Sequence, residues 1–286
     1  MANPSSEQSV SLQAAPAALR TVLAQWLIEL DSMNAAHTAG LHSGTPGTAF
    51  FCGYQAAMRC LDPALPADIW AAFCISESGM KSLRDMTTCY SPQEGISGRK
   101  SHVMLAGKGL DTLYVVARSQ VQEQTELLCL KVSMQAPGVN CLEAVKPQPF
   151  MPDVPHVPVS LSSVVADRLV SSDAHNELNR PFRYWEDMHI AVALAGWMSA
   201  KLGGNGVLDE QAMCLRDAFQ QQSREYHLAA LDAYEALITQ MEMASVGLTG
   251  EAASQWQRDR MLLLMAAPLR NKIRANFSSD FSAPPL

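Results

Sequence analysis

The spacing of hydrophobic residues along the chain constrains its fold more than any other feature. Over residues 14–61 apolar residues recur every three or four positions, as in LRTVLAQWLIELDSM, which is typical of amphipathic helices. Over residues 69–134 the spacing shortens to extended runs such as IWAAFCIS and LYVVARS, separated by polar or glycine-containing turns, which predicts strands. Helical spacing resumes near residue 163 and continues to about residue 276. The order therefore predicts helices, then a sheet, then helices.

A proline-spaced stretch, KPQPFMPDVPHVPVS, separates the second and third parts. Proline lacks a backbone N–H, so this stretch fits neither a helix interior nor a central strand. We therefore predict an α+β protein with an N-terminal helical segment at 1–68, a central small β-barrel or sheet domain at 69–160 and a C-terminal helical bundle at 161–286. Within the bundle we expect three long helices joined by GGNG and VGLTG.

Composition and charge narrow the class of partner. With 286 residues and 48% hydrophobic content, the chain can bury a sizeable core, and 28 acidic against 21 basic residues give a net charge of -7 that repels nucleic acid. No apolar run is long enough to predict a membrane span, and the polar N-terminus lacks the pattern of a secretory signal. The seven cysteines form no CxxC pair and are typical of reduced thiols. We expect a cytoplasmic protein.

Two motifs in the predicted sheet carry a family resemblance. AFCISES ends the first predicted strand, and GISGRKSHVMLAG follows it. Together with the order of elements, these motifs resemble the acyl-CoA dehydrogenases, in which an aromatic-x-aliphatic-Thr/Ser-Glu run lines the flavin and a Gly-x-Lys-x-Trp run follows one hairpin later. Phe73 to Glu77 match the first run, and Gly98 to His102 match the second in part. GLDTLYVVAR is similar to the strand that comes next in the family.

The resemblance implies a flavin site with named contacts. In the family, FAD accepts a hydride from the β carbon of an acyl thioester, such as an acyl-CoA of fatty acid metabolism, while a carboxylate removes the α proton. By resemblance, Phe73 stacks near the isoalloxazine, and the backbone of Ile75 and the hydroxyl of Ser76 hydrogen-bond its polar edge. Ser82 reaches a phosphate, and His102 stands in place of the family's flavin-contacting tryptophan and packs on the ring edge.

The same comparison shows departures from the family. MKSLRD replaces the family's Gly-Ser-Asp turn and is about one residue short, and Met104 replaces a threonine that donates a hydrogen bond to the flavin. Most members carry the catalytic base on a glycine-rich segment near the C-terminus, which NFSSDFSAPPL does not match. A minority place a glutamate ten residues before a glycine in the helix after the β domain, and Glu186 precedes Gly196 by that spacing.

Glu186 is therefore the predicted base, and a second interpretation of it stays open. An acid in the first turn of a helix is favoured by the helix dipole without any catalytic role. Glu186 and His189 also form a Glu-x-x-His pair, the unit of di-iron bundles, but no second pair accompanies it and we expect no metal site. Glu77 is expected to cap backbone amides near Gly79 and Met80, and Lys100 to be solvated.

Three functions are compatible with this pattern. The first is an acyl-CoA dehydrogenase-like flavoenzyme that uses FAD and Glu186 on an acyl thioester. The second is a catalytically inactive subunit of the same fold that serves a related catalytic chain, and the third is a ligand-binding or scaffolding protein without flavin. The helical parts are shorter than in the full-length family, so we expect a homo-oligomer or a hetero-oligomer with a related subunit.

Overall fold

The structure is a computed structural model that describes residues 10–105, 107–119, 126–143 and 148–280. It divides into two compact units. The helical unit comprises the chain up to Cys60 together with the chain from Arg183, and the sheet unit comprises Leu61–Phe182. The three domains predicted from the sequence, with limits at 68 and 160, stay a prediction. In the structure the two flanking helical segments fall into one unit.

Three helices form the N-terminal part of the helical unit. They are α1 (Pro16–Glu29), α2 (Ser32–His42) and α3 (Pro46–Leu61). Asp31 caps α2, because its carboxylate accepts the backbone N–H of Asn34 at 2.9 Å. Proline as the first residue of α1 and of α3 starts each helix where its missing N–H is not needed.

The C-terminal helices are more divided than the sequence predicted. They are α4 (Arg180–Lys201), α5 (Gly206–Gln221), α6 (Leu228–Ala244), α7 (Gly250–Asp259), α8 (Met261–Met265) and α9 (Ala267–Asp280). The break after α5 is stabilised by side chains from α4: Tyr184 Oη and Trp185 Nε1 donate to the carbonyls of Gln222 and Ser223 at 2.9 and 2.6 Å. These two carbonyl oxygens therefore accept side-chain donors instead of the backbone N–H groups of a continuing helix. The predicted third helix is interrupted before α9, since Pro268 cannot continue a helix that begins before it.

Glycine lets helix α4 approach α2 and α3 closely. A Cβ atom added to Gly40 would lie 2.0 Å from the carbonyl oxygen of Ala193, and one added to Gly53 would lie 2.8 Å from that of His189. Both neighbours are backbone atoms of α4, which a side-chain rotation cannot move. The alternation of small residues in IAVALAG therefore serves close backbone packing within the helical unit.

Eight strands of the described chain form the sheet. They are β1 (Ala71–Cys74), β2 (Cys89–Ser91), β3 (Gly95–Met104), β4 (Thr112–Ser119), β5 (Leu127–Ser133), β6 (Val139–Cys141), β7 (His156–Val164) and β8 (Arg168–Ser171). Their order is β6-β7-β3-β2-β4-β5-β8, and β1 pairs with β4. The α+β class and the central sheet predicted from the sequence are confirmed.

Two expectations about the end of the sheet were wrong. The segment from Ser163 was predicted to be helical, but β7 and β8 occupy it up to Ser171, because β8 pairs with β5. Pro158 lies inside β7 although prolines were expected to exclude a strand there. The ladder between β3 and β7 shifts register between Lys100 and Val103, so Pro158 falls in an irregularity where no N–H is required.

Strands β1 and β2 lie one after the other along the same side of β4. Residues Ala71–Cys74 pair in parallel with Thr112–Val115, and Cys89 and Tyr90 pair in parallel with Arg118 and Ser119. The chain between them, which we call the 75–88 loop, leaves the sheet at the end of β1 and returns to the same side of β4. This loop contains most of the residues that the sequence singled out for flavin binding.

Candidate functional site

Glu77 ties the two ends of the 75–88 loop together. Its carboxylate accepts hydrogen bonds from the backbone N–H and hydroxyl of Thr87, both at 2.7 Å, and from the N–H of Thr88 at 3.1 Å. Lys100 Nζ donates to the same carboxylate at 2.9 Å. Burial by itself raises the pKa of Glu77, but the hydrogen bonds from Lys100, Thr87 and Thr88 outweigh it and bring the pKa down to about 2. Glu77 is therefore an ionised structural anchor.

This arrangement corrects two expectations. The Glu77 carboxylate does not cap the amides near Gly79 and Met80; it reaches ten residues along the chain to Thr87 instead. Lys100 was expected to be solvated, but it is 1% exposed and also lies 3.4 Å from the carbonyl oxygen of Ile75. A buried lysine needs a partner of opposite charge, and Glu77 supplies it.

The predicted ring contacts lie at the end of β1. Phe73 is half-buried, and its ring centroid lies 5.0 Å from that of Phe182 at an interplanar angle of 52°. Ile75 is half-buried, whereas Ser76 is exposed, and its hydroxyl makes no hydrogen bond to any residue in the described part of the chain. The carbonyl of Ser76 accepts the N–H of Ser101 at 2.9 Å, which joins the start of the loop to β3.

His102 lies next to this junction. The residue is exposed, and its Nδ1 is 2.8 Å from the hydroxyl oxygen of Ser101. The structure thus brings Ser76, Ser101 and His102 together along one exposed stretch of the sheet unit. Met104 is 3% exposed and belongs to the core, so it replaces the family's threonine without a polar contact. Sequence reasoning missed Ser101, although its place beside His102 in GRKSH was visible.

Ser82 lies where its donors are already engaged. It precedes a short 3₁₀ turn at Leu83–Asp85, and Asp85 Oδ2 accepts the N–H of Lys81 at 3.0 Å and the N–H of Ser82 at 2.8 Å. The Ser82 hydroxyl lies 3.3 Å from the same oxygen. The N–H of Ser82, followed by that of Lys81, holds the pKa of Asp85 below its ordinary value. The hydroxyl of Ser82, which the resemblance assigned to a phosphate, therefore already lies against a carboxylate.

A cleft of about 1040 Å³ opens beside this turn within the sheet unit. It is lined by Ser82, Leu83, Arg84, Arg118, Glu126, Leu127, Ser172, Asp173, His175 and Asn176. Arg118 donates to the carbonyl oxygen of Arg84, and its buried Nε has no hydrogen-bond partner among the described residues. Sequence reasoning missed Arg118, because a lone arginine at the end of a strand carries no pattern.

Glu186 lies on α4 in the helical unit. It is partly buried, and its carboxyl makes no hydrogen bond to any residue that the structure describes. Burial, followed by the charge of Asp187, raises the pKa of Glu186 to about 7, and Arg183 opposes the shift. Helix α4 begins at Arg180 and has no acid in its first turn, so the interpretation of Glu186 as a first-turn acid was wrong.

The residue after Glu186 is held in a buried network. Asp187 Oδ2 accepts from Tyr226 Oη at 2.6 Å and from Arg270 Nη1 at 2.9 Å. Arg270 is 5% exposed, and its guanidinium lies 4.3 Å above the ring of Tyr234. Asp187 is thus a fixed charge that ties α9 to the first half of α4, beside the predicted base.

His189 completes the Glu-x-x-His pair only in sequence. It is fully buried, its Nδ1 lies 2.6 Å from the carbonyl oxygen of Trp185, and its Nε2 lies 2.8 Å from the hydroxyl of Ser32. Burial lowers its pKa to about 4, so the ring is neutral. In the described ranges no three or more His, Cys, Asp or Glu side chains are grouped as metal ligands would be.

Across those same ranges, no helix combines the length and the apolar character that a membrane crossing requires.

Comparison with solved structures identifies the fold. PigA in its apo form matches with a TM-score of 0.65 and 13% identity over 92% of this chain and 89% of that chain, and PigA also has a matching structure in complex with FAD. FkbI, for biosynthesis of a methoxymalonyl extender unit, matches with a TM-score of 0.66 and 14% identity over 90% and 87%. Butyryl-CoA dehydrogenase from Megasphaera elsdenii matches with a TM-score of 0.63 and 10% identity over 86% and 84%.

These matches confirm the predicted resemblance at the level of the fold. No protein-family model and no curated protein matches the chain. At identities of 10–14% the structural likeness establishes the acyl-CoA dehydrogenase fold and a divergent sequence on it.

Proposed function

We propose that the chain is an FAD-dependent oxidoreductase that introduces a double bond between the α and β carbons of an acyl thioester, with Glu186 as the base. The observation that carries this proposal is the state of Glu186: a partly buried carboxyl on α4 with no hydrogen-bond partner among the described residues. A pKa of about 7 suits a group that must take up a proton near neutral pH. A carboxylate kept only for stability is normally paired, as Asp187 is.

The sheet unit offers contacts that fit the flavin ring. Phe73 supplies a half-buried aromatic surface, and the hydroxyl of Ser76 is free to bond the ring's polar edge. Ser101 and His102 add a hydroxyl and an imidazole beside it. The phosphate contact proposed for Ser82 fits less well, because Asp85 already accepts its N–H and hydroxyl. The ring-binding roles of Phe73, Ile75, Ser76 and His102 are therefore the part of the site that we propose.

The proposed chemistry divides between cofactor and protein. FAD, when bound, supplies the acceptor for the hydride that leaves the β carbon of the acyl group. The carboxylate of Glu186 takes the α proton and becomes the neutral acid, and its raised pKa makes that form accessible. Asp187 is held beside Glu186 by Arg270 and Tyr226, and its position there contributes to the raised pKa of Glu186 and so favours proton uptake.

The neighbours suggest the substrate class. One is named as a butyryl-CoA dehydrogenase and another serves the biosynthesis of an acyl extender unit, so an acyl-CoA or another acyl thioester is the proposed substrate, in fatty acid metabolism or a related acyl pathway. We further propose a cytoplasmic protein that associates with copies of itself or with a related subunit. Large apolar side chains near the end of α6 and on α8 are exposed, among them Met243, Val246 and Met265, which supports association.

Flavin spectroscopy with one variant tests the proposal. The purified chain is expected to show the absorbance bands of bound flavin, and an acyl-CoA is expected to bleach them under anaerobic conditions. Glu186→Gln should retain the absorbance bands, but the rate at which the acyl-CoA bleaches them should fall about a hundredfold or more, because an amide side chain cannot accept the proton. Glu210→Gln on α5, an exposed acid, is the matched control and should behave as the parent protein.

Two results would contradict the proposal. A colourless protein that gains no flavin when FAD is added would exclude a flavoenzyme and favour the inactive subunit or scaffold of the same fold. Unchanged bleaching in Glu186→Gln would leave the flavoenzyme standing but remove Glu186 as its base.

A further inference from the structure

Two acidic residues lie next to each other on α4, and their surroundings differ. Asp187 Oδ2 accepts hydrogen bonds from Tyr226 Oη at 2.6 Å and from Arg270 Nη1 at 2.9 Å. Glu186 accepts none from any residue that the structure describes. Titratable neighbours with such unequal surroundings often divide the proton-accepting roles of a site. Which of the two acids takes up a proton therefore depends on the donors to Asp187.

Arg270 is the charged donor, and its side chain is fixed by three contacts. It lies on α9, 83 residues after Asp187 in the sequence. Its guanidinium lies 4.3 Å above the ring of Tyr234 on α6, and its Nη2 donates to the carbonyl oxygen of Leu263 on α8 at 2.5 Å. The side chain is 5% exposed, so the ion pair with Asp187 is shielded from water.

The other groups around the two acids do not replace this cation. Tyr226 lies between α5 and α6, and burial, followed by the charge of Asp187, raises the pKa of its hydroxyl, which therefore keeps the proton that it donates. Burial likewise raises the pKa of Tyr234. Arg183, one turn earlier on α4, is exposed, and its charge opposes the effect of burial on Glu186. Neither the two neutral phenols nor the exposed arginine supplies a buried positive charge.

We propose that Arg270 is a positioning residue that directs proton uptake to Glu186 by holding the carboxylate of Asp187 in an ion pair. The inference rests on the proposed function, in which Glu186 takes the α proton. A proton on Asp187 would break its ion pair with Arg270, whereas a proton on Glu186 breaks no contact. Without the guanidinium, the two adjacent acids would share the proton. Helix α9 thereby determines which acid of α4 is the base.

Infrared spectroscopy of the purified chain tests the inference without any turnover. At about pH 6 ordinary Asp and Glu side chains are ionised, so a protonated carboxyl is recognised by its own carbonyl band. The parent chain should show this band, since the pKa of Glu186 is about 7, and Glu186→Gln should lose it. Arg270→Gln added to Glu186→Gln should restore a band, because the proton then binds to Asp187. Arg270→Lys added instead keeps the charge and should restore none.

Arg274→Gln is the matched control, because Arg274 also lies on α9 but pairs with Asp232, an exposed acid. Added to Glu186→Gln, it should restore no band. Circular dichroism shows whether each variant folds. If Arg270→Gln prevents folding, Tyr226→Phe takes its place, since it removes the other donor to Asp187 Oδ2, and it should restore a weaker band.

The pH profile of flavin bleaching separates positioning from a structural role. Arg270→Gln removes a positive charge from beside two acids and so strengthens proton binding to them, which should move the midpoint of the acid limb up by about one pH unit. A purely structural role would lower the rate at every pH and leave the midpoint at the parent value.

Two results would overturn the inference while the proposed function stands: no restored band in a folded chain that carries both Glu186→Gln and Arg270→Gln, or an unmoved midpoint in Arg270→Gln. A chain that binds no FAD would overturn both, because the two acids would then have no reaction to serve.

Discussion

Glu77 and Lys100 show how strongly single buried charges determine this site. Each is the other's ionic partner, and both lie almost out of reach of water. Removal of one member of such a pair leaves the other charge buried and unpaired. We expect Lys100→Met to lower the free energy of unfolding by about 3–5 kcal/mol, measured by chemical denaturation. Lys100→Met combined with Glu77→Gln should recover part of that loss, and an additive double variant would show that the two charges are not coupled.

The contribution of the same ion pair to stability should be lost at acidic pH. The pKa of Glu77 in the folded chain, about 2, lies below the ordinary value of 4.5 that the unfolded chain retains. A depressed acid pKa stabilises the folded state above the unfolded value, and that stability is lost as the pH falls from about 4.5 towards 2. Glu77→Gln has no carboxyl to titrate, so its stability should depend less on pH in this window, as denaturation curves at stepwise pH would measure.

Two sequence motifs supplied the candidate ring contacts, and their roles towards flavin stay predictions. Phe73, Ile75 and Ser76 belong to one motif and His102 to a second, and the structure places Ser76 and His102 beside the junction of the loop and β3. The burial of Lys100 could not be predicted, because strand alternation fails where β3 shifts register between Lys100 and Val103. The hydrogen bonds that Ser82 donates to Asp85 belong to a capping box, whose Ser-x-x-Asp spacing was visible in SLRD but was not used.

At the scale of elements, helix α4 depends on glycine in its neighbours. A Cβ at Gly40 would lie 2.0 Å from a backbone oxygen of α4, so the two helices would have to separate. We expect Gly40→Ala to lower the unfolding free energy by about 2–3 kcal/mol or more, which thermal or chemical denaturation would measure.

Gly206 offers a control on α5. Nothing lies within 4 Å of a Cβ added there, so Gly206→Ala should be neutral or raise stability by up to about 1 kcal/mol through reduced freedom of the unfolded chain. Equal effects of the two substitutions would show that close packing at Gly40 is not the cause.

Element type was predictable where spacing was long and regular, and element ends were not. The existence of α1, α4 and the central strands followed from periodicity, but the break between α5 and α6 is stabilised by Tyr184 and Trp185, which are far away in sequence. β8 was missed because its four residues, RLVS, are too few for any period to be distinguished, and its pairing with β5 decides its conformation.

At the scale of the whole molecule, the proposed association can be tested by mass. Sedimentation or light scattering should give a multiple of the single-chain mass, because Met243, Val246 and Met265 expose 59, 88 and 63% of their surface on the helical unit. Val246→Glu should reduce the mass towards that of one chain by placing a charge in the contact. Val165→Glu, at a residue 77% exposed in the sheet unit, is the control. A single-chain mass for the parent protein would contradict the proposal.

The order of helices, sheet and helices identified the fold although the sequence is only 10–14% identical to the proteins of that fold compared above. Order survives divergence because it follows from hydrophobic spacing, which tolerates many substitutions. The chemistry of a site depends on a few side chains, and these are where this chain departs from the pattern.

Because β1 and β2 both pair with the same side of β4, the strand pairing of the sheet does not depend on the length of the 75–88 loop. The Glu77 carboxylate holds Thr87 and Thr88 beside it. Residues 78–85 are therefore fixed at both ends of the segment but do not pair with a strand. Such a segment can be shortened, lengthened or replaced while the strands on either side keep their partners. The residues at this corner can therefore change in this chain without a change in the pairing of β1 and β2 with β4.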